Sequence, residues 1–166
     1  DYQERYCQYS NLTVTDSTDA LASADLILLT VKCLAVHEAA QQLQAFAAET
    51  TPIVSLQNGI GSDDMLRQLK SPVIRGIVGF NVAPLDNCRY HRGTEGDVYC
   101  ESLIDSAIAE QLDSAFHDMG FRLHTTSAFE ALQWAKLQLN LNNAINAVSN
   151  LTLKQELETR GYRTIL

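Results

Sequence analysis

The sequence predicts an α/β fold, a partial doubly wound sheet followed by the start of an all-helical domain. Three observations predict it. Two short apolar runs, Asp25-Leu-Ile-Leu-Leu-Thr-Val31 and Ile53-Val-Ser-Leu-Gln57, lack the period-2 alternation of a half-exposed strand and suit strands covered on both faces. Helical patterns alternate with such runs along about three quarters of the chain, a spacing that implies βαβ crossovers with helices on both faces of the sheet. From Ser127 the character changes: Ala128 to Val148 is one long helical pattern without glycine or proline.

In chain order, Asp16 or Ser17 can cap a short helix through Ser23 ahead of the first strand. After that strand, Val36, Ala39, Ala40, Leu43 and Phe46 make one helical stripe, and Thr51-Pro52 stops it. The second strand leads into the turn Asn58-Gly59-Ile60-Gly61. A helix is expected near Ser62 to Leu69, with Ser62 as its cap and Asp63 and Asp64 at the positive end of its dipole. Val73 to Val82 reads as a strand, and Tyr90 is expected to pair antiparallel with Val98 to Cys100. A helix from Ser106 to Met119 ends at Gly120, and Phe121 to His124 forms a last short strand. These elements place residues 1–126 in one domain and residues 127–166 in the beginning of another.

Of 166 residues, 46% are apolar and 19% charged, which is globular usage and argues against a disordered or fibrous chain. The net charge of -8 disfavours nucleic acid and anionic membranes, both of which need a basic face. Cys7, Cys33, Cys88 and Cys100 show no ligand-like spacing and read as inert, reduced core thiols. His37, His91, His117 and His124 are scattered too, so no metal site is expected. There is no apolar run of membrane length and no segment resembling a signal peptide, and a cytoplasmic location is expected. A small molecule is the expected ligand, with a homo-oligomer as the macromolecular partnership to look for.

In open sheets of this kind ligands bind beyond the carboxyl ends of the strands. Lys32 and Asn58 each follow a predicted strand and fall there. The Asn58 to Gly61 turn offers backbone N–H groups and close approach, although an ordinary strand-to-helix turn would look the same. Arg92, in a glycine-flanked stretch, reads as part of a hairpin and receives no role.

The long helix is more informative. Asn140, Asn142, Asn143, Asn146 and Asn150 crowd into it. Asparagine is about 0.6 kcal/mol worse than alanine in a helix, roughly 3 kcal/mol for the cluster. Trp134, Leu137, Leu141, Ile145 and Val148 form an apolar stripe, and Lys136, Asn140 and Asn143 lie together on the other side. Either a lysine and two amides converge on an oxygen-rich small molecule, or the amides bridge to neighbouring backbone. The residues alone leave both readings open.

Thr30-Val31-Lys32, then Gln57-Asn58-Gly59-Ile60-Gly61, and above all Trp134-Ala-Lys136-Leu-Gln-Leu-Asn140 followed by Asn143-Ala-Ile-Asn146, are together similar to the successive signatures of the ketopantoate (2-dehydropantoate) reductase family. The resemblance implies a Rossmann-type domain joined to a helical one, with NADPH as cofactor and ketopantoate as substrate in pantothenate biosynthesis. It implies that Lys32 and Asn58 contact NADPH. It also implies that Lys136 is the general acid and that Asn140 binds substrate, with Asn143 standing in for a second asparagine where this chain has Ala144.

The family's glycine-rich βαβ unit is expected before Asp1, and a serine and a glutamate of its substrate site beyond Leu166. The chain is therefore expected to be a core fragment with little or no activity by itself and an exposed strand edge. The rivals are a related two-domain dehydrogenase for another 2-oxo or hydroxy acid, and a non-catalytic interaction module.

Overall fold

A computed structural model of the chain describes residues 6, 8, 10–102, 106–118 and 120–165. The expectation for Cys7 lies outside these residues, as does the Met119 end of the predicted helix. The chain divides into two compact units, Asp1–Phe129 and Glu130–Leu166.

The first unit is built on a five-stranded sheet. Strands β1 (Ile27–Leu29), β2 (Ile53–Ser55) and β3 (Val73–Val78) run parallel, with Leu29 opposite Ser55 and Ser55 opposite Arg75. Helix α1 (Val36–Phe46) connects the first two strands over the predicted span. A separate hairpin pairs β4 (Val82–Pro84) with β5 (Tyr90–Arg92). Strand β6 (Val98–Glu101) then joins β3 antiparallel, helix α2 (Ser106–Asp118) follows, and β7 (Leu123–Thr126) pairs parallel with β6. The strand order is β1-β2-β3-β6-β7.

The pleat explains the double winding. Ile53 packs with Ile27, Leu29, Val36 and Leu43 on the α1 face, whereas its neighbour Val54 packs with Ile74, Val98, Leu112 and Phe116 on the α2 face. All three residues of β2 are buried, as a strand covered on both sides requires. Burying each of these aliphatic side chains stabilises the unit by about 1.5–3 kcal/mol.

Four expectations need correction. The helix expected near Ser62 to Leu69 is only a run of turns ending in a 3-10 turn at Leu66–Gln68, because Asp63 is turned inward and buried instead of solvating a helix end. Val73 to Val82 is two strands broken at Gly79 to Asn81. Tyr90 pairs with Pro84, not with β6, because the fully buried Val98 and Cys100 belong to the central sheet. Cys33 and Cys88 are exposed thiols; Cys100 is buried, and desolvation pushes its thiol up to about 12.

The second unit contains most of α3 (Phe129–Ser149), with α4 (Leu153–Glu158) and α5 (Arg160–Ile165). Asn150 adopts φ +55° and ends α3, and Thr152 and Gln155 form a capping box that starts α4. Among the described residues no helix is long and apolar enough to cross a membrane.

Candidate active site

Lys32 and Asn58 lie at the same end of neighbouring strands. Leu29 and Ser55 are partners in the parallel ladder, and each candidate follows its partner residue by three positions. Both side chains are exposed at the carboxyl edge of the sheet, where open α/β sheets take their ligands. Lys32 begins a 3-10 turn, accepting Ala35 N–H on its carbonyl at 2.8 Å.

The Asn58 turn is held from below. Leu56 N and Gln57 Nε2 both donate to the Leu29 carbonyl, at 3.0 and 3.3 Å. Gly59 and Gly61 take φ +89° and +87°, a backbone region in which a side chain is strained, and a Cβ on Gly59 would meet nothing within 4 Å. The turn therefore exposes its backbone on its outer side. His37 Nδ1 lies 3.2 Å from Met65 Sδ, which links the segment after β1 to the segment after β2.

Buried and partly buried charges lie beneath this edge. Arg75 donates from its backbone N–H to Glu101 Oε1 at 2.8 Å and from Nε to Oε2 at 2.9 Å, and its guanidinium carbon sits 5.0 Å from the centre of the Phe129 ring. Asp63 accepts from Ser55 Oγ. Desolvation holds the Asp63 carboxyl above the usual aspartate range, against the lowering effects of Ser55 and Arg75.

On α3, Lys136 and Asn140 are half-buried and Asn143 is exposed; the helical repeat keeps the three within one stripe. Burial lowers the Lys136 ammonium below its ordinary range, which moves a lysine toward the acidity that proton donation near neutral pH needs. The apolar stripe on the other side of the helix is largely exposed, with Trp134 at 57%, Leu141 at 58% and Val148 at 88%.

The five asparagines separate by role. Asn146 Nδ2 donates to Leu151 O at 2.7 Å and Asn150 supplies the left-handed residue after α3, so these two shape the corner into α4. Asn142, which the sequence reading did not select, has a buried Oδ1 with no hydrogen-bond partner among the described residues. It shares a face with Asn146 and Ser149, and Ser149 Oγ donates to the fully buried Glu156 at 2.6 Å. Their spacing of four and three residues was the available signal.

Arg92 is accounted for structurally. Its guanidinium lies 4.9 Å from the Phe80 ring and 4.4 Å from the Phe121 ring, and it donates to Gly96 O and Thr94 O. A shallow cavity lined by Leu43, Glu49, Leu69, Lys70 and Ser71 opens among residues that lead into β2 and β3. It is thus at the amino ends of those strands, away from Lys32 and Asn58. Among the described residues no three His, Cys, Asp or Glu side chains gather as metal ligands.

Comparison with known proteins is consistent in direction. The family model for ketopantoate reductase PanE/ApbA matches residues 4–105. The 2-dehydropantoate 2-reductase of Escherichia coli O157:H7 is 36% identical over 152 residues, covering 84% of this chain and 46% of that protein. The PanE/ApbA family ketopantoate reductase of Ralstonia eutropha JMP134 superposes with a TM-score of 0.78 at 25% identity, covering 89% of this chain and 49% of that one. A D-mandelate dehydrogenase solved with NADH and anilino(oxo)acetate shares the fold at a TM-score of 0.73 and 20% identity, covering 85% of this chain and 47% of its own. The chain spans about half the length of the curated relatives it matches over most of its own length.

Proposed function

Because the chain belongs to the ketopantoate reductase PanE/ApbA family, we propose that it carries the cofactor edge and the proton-donating helix of an enzyme that reduces ketopantoate to pantoate with NADPH. The observation that carries this reading is the half-buried Lys136, its ammonium made more acidic by desolvation, on one stripe with Asn140 and Asn143. In this reading residues 1–126 are the nucleotide-binding domain and residues 127–166 begin the substrate domain.

The residues present fit a pyridine nucleotide in part. A lysine and an amide side chain emerge together from the carboxyl edge of parallel strands, and the Asn58 turn leaves space above its backbone. The chain has no GxGxxG sequence, so the pyrophosphate cradle is not among its residues. Lys32 would offer positive charge to the nucleotide and Asn58 its amide. The bound cofactor supplies hydride to the ketone carbon.

Lys136 does the protein's part of the chemistry. As hydride arrives, charge builds on the ketone oxygen, and the Lys136 ammonium gives its proton there and becomes a neutral amine. Asn140 and Asn143 hold the substrate's oxygen atoms by amide donation, fixing the carbonyl relative to the lysine. The chemistry asks for a cation that is close and partly dehydrated, which is why a lysine with a lowered pKa suits it better than a solvated one.

The test is NADPH oxidation with ketopantoate by this chain and by a chimaera that joins it to the remaining segments of a 2-dehydropantoate 2-reductase relative, each beside Lys136→Ala. A fall of about 10²-fold or more is expected in whichever form turns over. Near-parent turnover in the mutant removes Lys136 from the role. Oxidation that prefers another 2-oxo acid in a substrate panel reassigns the reaction.

A further inference from the structure

The turn that presents Asn58 is closed across its base. Asp63, eight residues after the last residue of β2, accepts a hydrogen bond from that residue's hydroxyl, Ser55 Oγ; Asp63 is 5% exposed and Ser55 1%. The Asp63 carbonyl accepts Leu66 N–H at 3.0 Å and Arg67 N–H at 3.3 Å, so the same residue starts the 3-10 turn. At the entry of the turn, buried Gln57 is tied to β1 through Leu29 O. Between these ties lie two glycines at positive φ and the exposed Asn58. Glycine gives such a turn its shape but no rigidity.

Placing an aspartate here is costly. A carboxylate at the start of a helical segment is normally solvated, as the exposed Asp64 next to it is. Asp63 instead faces Ser55, Arg75, Glu101 and Arg67 from within the unit, and burial of its charge is only partly offset by Ser55, Arg75 and Arg67, while the Glu101 carboxylate adds to the cost. Retaining a destabilising buried group is expected where geometry rather than stability is being served.

We propose that Asp63 is the positioning residue of the cofactor edge: by holding Ser55 Oγ it fixes the Asn58 to Gly61 turn in the form that meets a pyridine nucleotide. The inference rests on the reading of Asn58 as a cofactor contact. Asp63 touches no ligand itself. It acts through the turn whose base it closes.

The experiment compares this chain with Asp63→Ala, Asp63→Asn and Ser71→Ala. Asparagine keeps an oxygen that accepts from Ser55. Ser71 donates to Ala48 O at the far end of the sheet and serves as the structural control. Backbone amide order parameters for residues 58–62 are expected near about 0.85 in the parent and below about 0.6 in Asp63→Ala. They are expected to recover in Asp63→Asn and stay unchanged in Ser71→Ala. The Kd for NADPH should rise about tenfold in Asp63→Ala and less than about twofold in the other two. If Asp63→Ala does not fold, Ser55→Ala removes the same bond from the donor side and is read in the same way. An unaltered turn in the alanine variant overturns the proposal, as does a loosened turn that binds NADPH with parent affinity, or an asparagine variant that behaves like alanine. Should the parent bind no NADPH, the same comparison is made in a chimaera that joins the chain to the glycine-rich N-terminal segment of a 2-dehydropantoate 2-reductase relative, and no binding there overturns the cofactor reading and the positioning role with it, while the order parameters still decide whether Asp63 holds the turn.

Discussion

Gly79 and Gly96 lie backbone against backbone: a Cβ on Gly96 would collide with the Gly79 carbonyl oxygen, and one on Gly79 would come within 2.8 Å of the Asp97 carbonyl oxygen. Gly79 N donates to Asp97 O at 2.8 Å, so this contact fastens the end of β3 to the segment that enters β6. Gly96 also holds φ +146°, a region that side chains rarely adopt.

Gly96→Ala is therefore expected to cost more than about 2 kcal/mol, combining backbone strain with a steric clash that no flexible side chain can relieve. Gly93, three residues earlier, has nothing within 4 Å of an added Cβ. Gly93→Ala should fall within about 0.5 kcal/mol of the parent. Urea denaturation of both variants checks this, and equal midpoints would contradict the packing described.

Arg75 and Glu101 form a partly buried ion pair, with side chains 16% and 13% exposed. Two side-chain contacts and a backbone donor converge on one carboxylate, and Phe129 covers the guanidinium. Glu101→Ala removes the carboxylate that a partly buried cation and a backbone N–H share, and should destabilise the chain by about 1–3 kcal/mol. The double variant Arg75→Met with Glu101→Leu should recover a large part of that loss, because neither charge then remains buried. A double variant no more stable than Glu101→Ala would show that the pair is a net stabiliser.

What the sequence made legible follows from how directly residue type decides structure. Val36 to Phe46 and the long asparagine helix were readable because an uninterrupted 3.6-residue pattern has only one regular solution. The buried strands were readable because runs such as Ile53 to Ser55 have no polar residue to send outward except Ser55, whose hydroxyl is satisfied by Asp63. Asp63 itself misled: an acidic residue after a glycine turn looks like a solvated helix start, and only the tertiary position of Ser55 turns it inward. The Tyr90 pairing failed for a similar reason, since strand propensity does not name the partner. At the candidate site Lys32, Asn58, Lys136 and Asn140 could be selected by pattern and resemblance. The separation of Asn146 and Asn150, which build a corner, from Asn142, whose amide oxygen is buried, required coordinates.

Lys136 should titrate below the ordinary lysine value of 10.5, because desolvation disfavours its charged form. Lys70 should titrate above it, held by its hydrogen bond and charge contact with Glu49. For Lys136 the unfolded chain takes up its proton near 10.5 while the folded chain waits for a lower pH. Stability therefore falls as pH drops through that window, and the penalty stays in full below the folded value. NMR of methylated lysines gives both titrations directly. A Lys136 that titrates at or above 10.5 would remove the physical basis for its role as acid.

Among the described residues strand β1 forms one edge of the sheet, and it is poorly defended. Ile27 and Leu29 point into the core on the α1 face, which leaves Leu28 aimed at the opposite face with 42% of its surface exposed, and Val31 just beyond is 38% exposed. A parallel edge strand with unpaired backbone groups and apolar neighbours is a template for another strand, and lysine there is the usual defence. The chain should thus self-associate as its concentration rises into the ~100 μM range, a regime in which open edges find partners. Leu28→Lys should shift the equilibrium toward monomer while leaving the α1-face core intact. Sedimentation equilibrium on both proteins separates an edge-driven association from one driven by the exposed Trp134, Leu141 and Val148 stripe. If Leu28→Lys associates as strongly as the parent, the β1 edge is not the surface responsible.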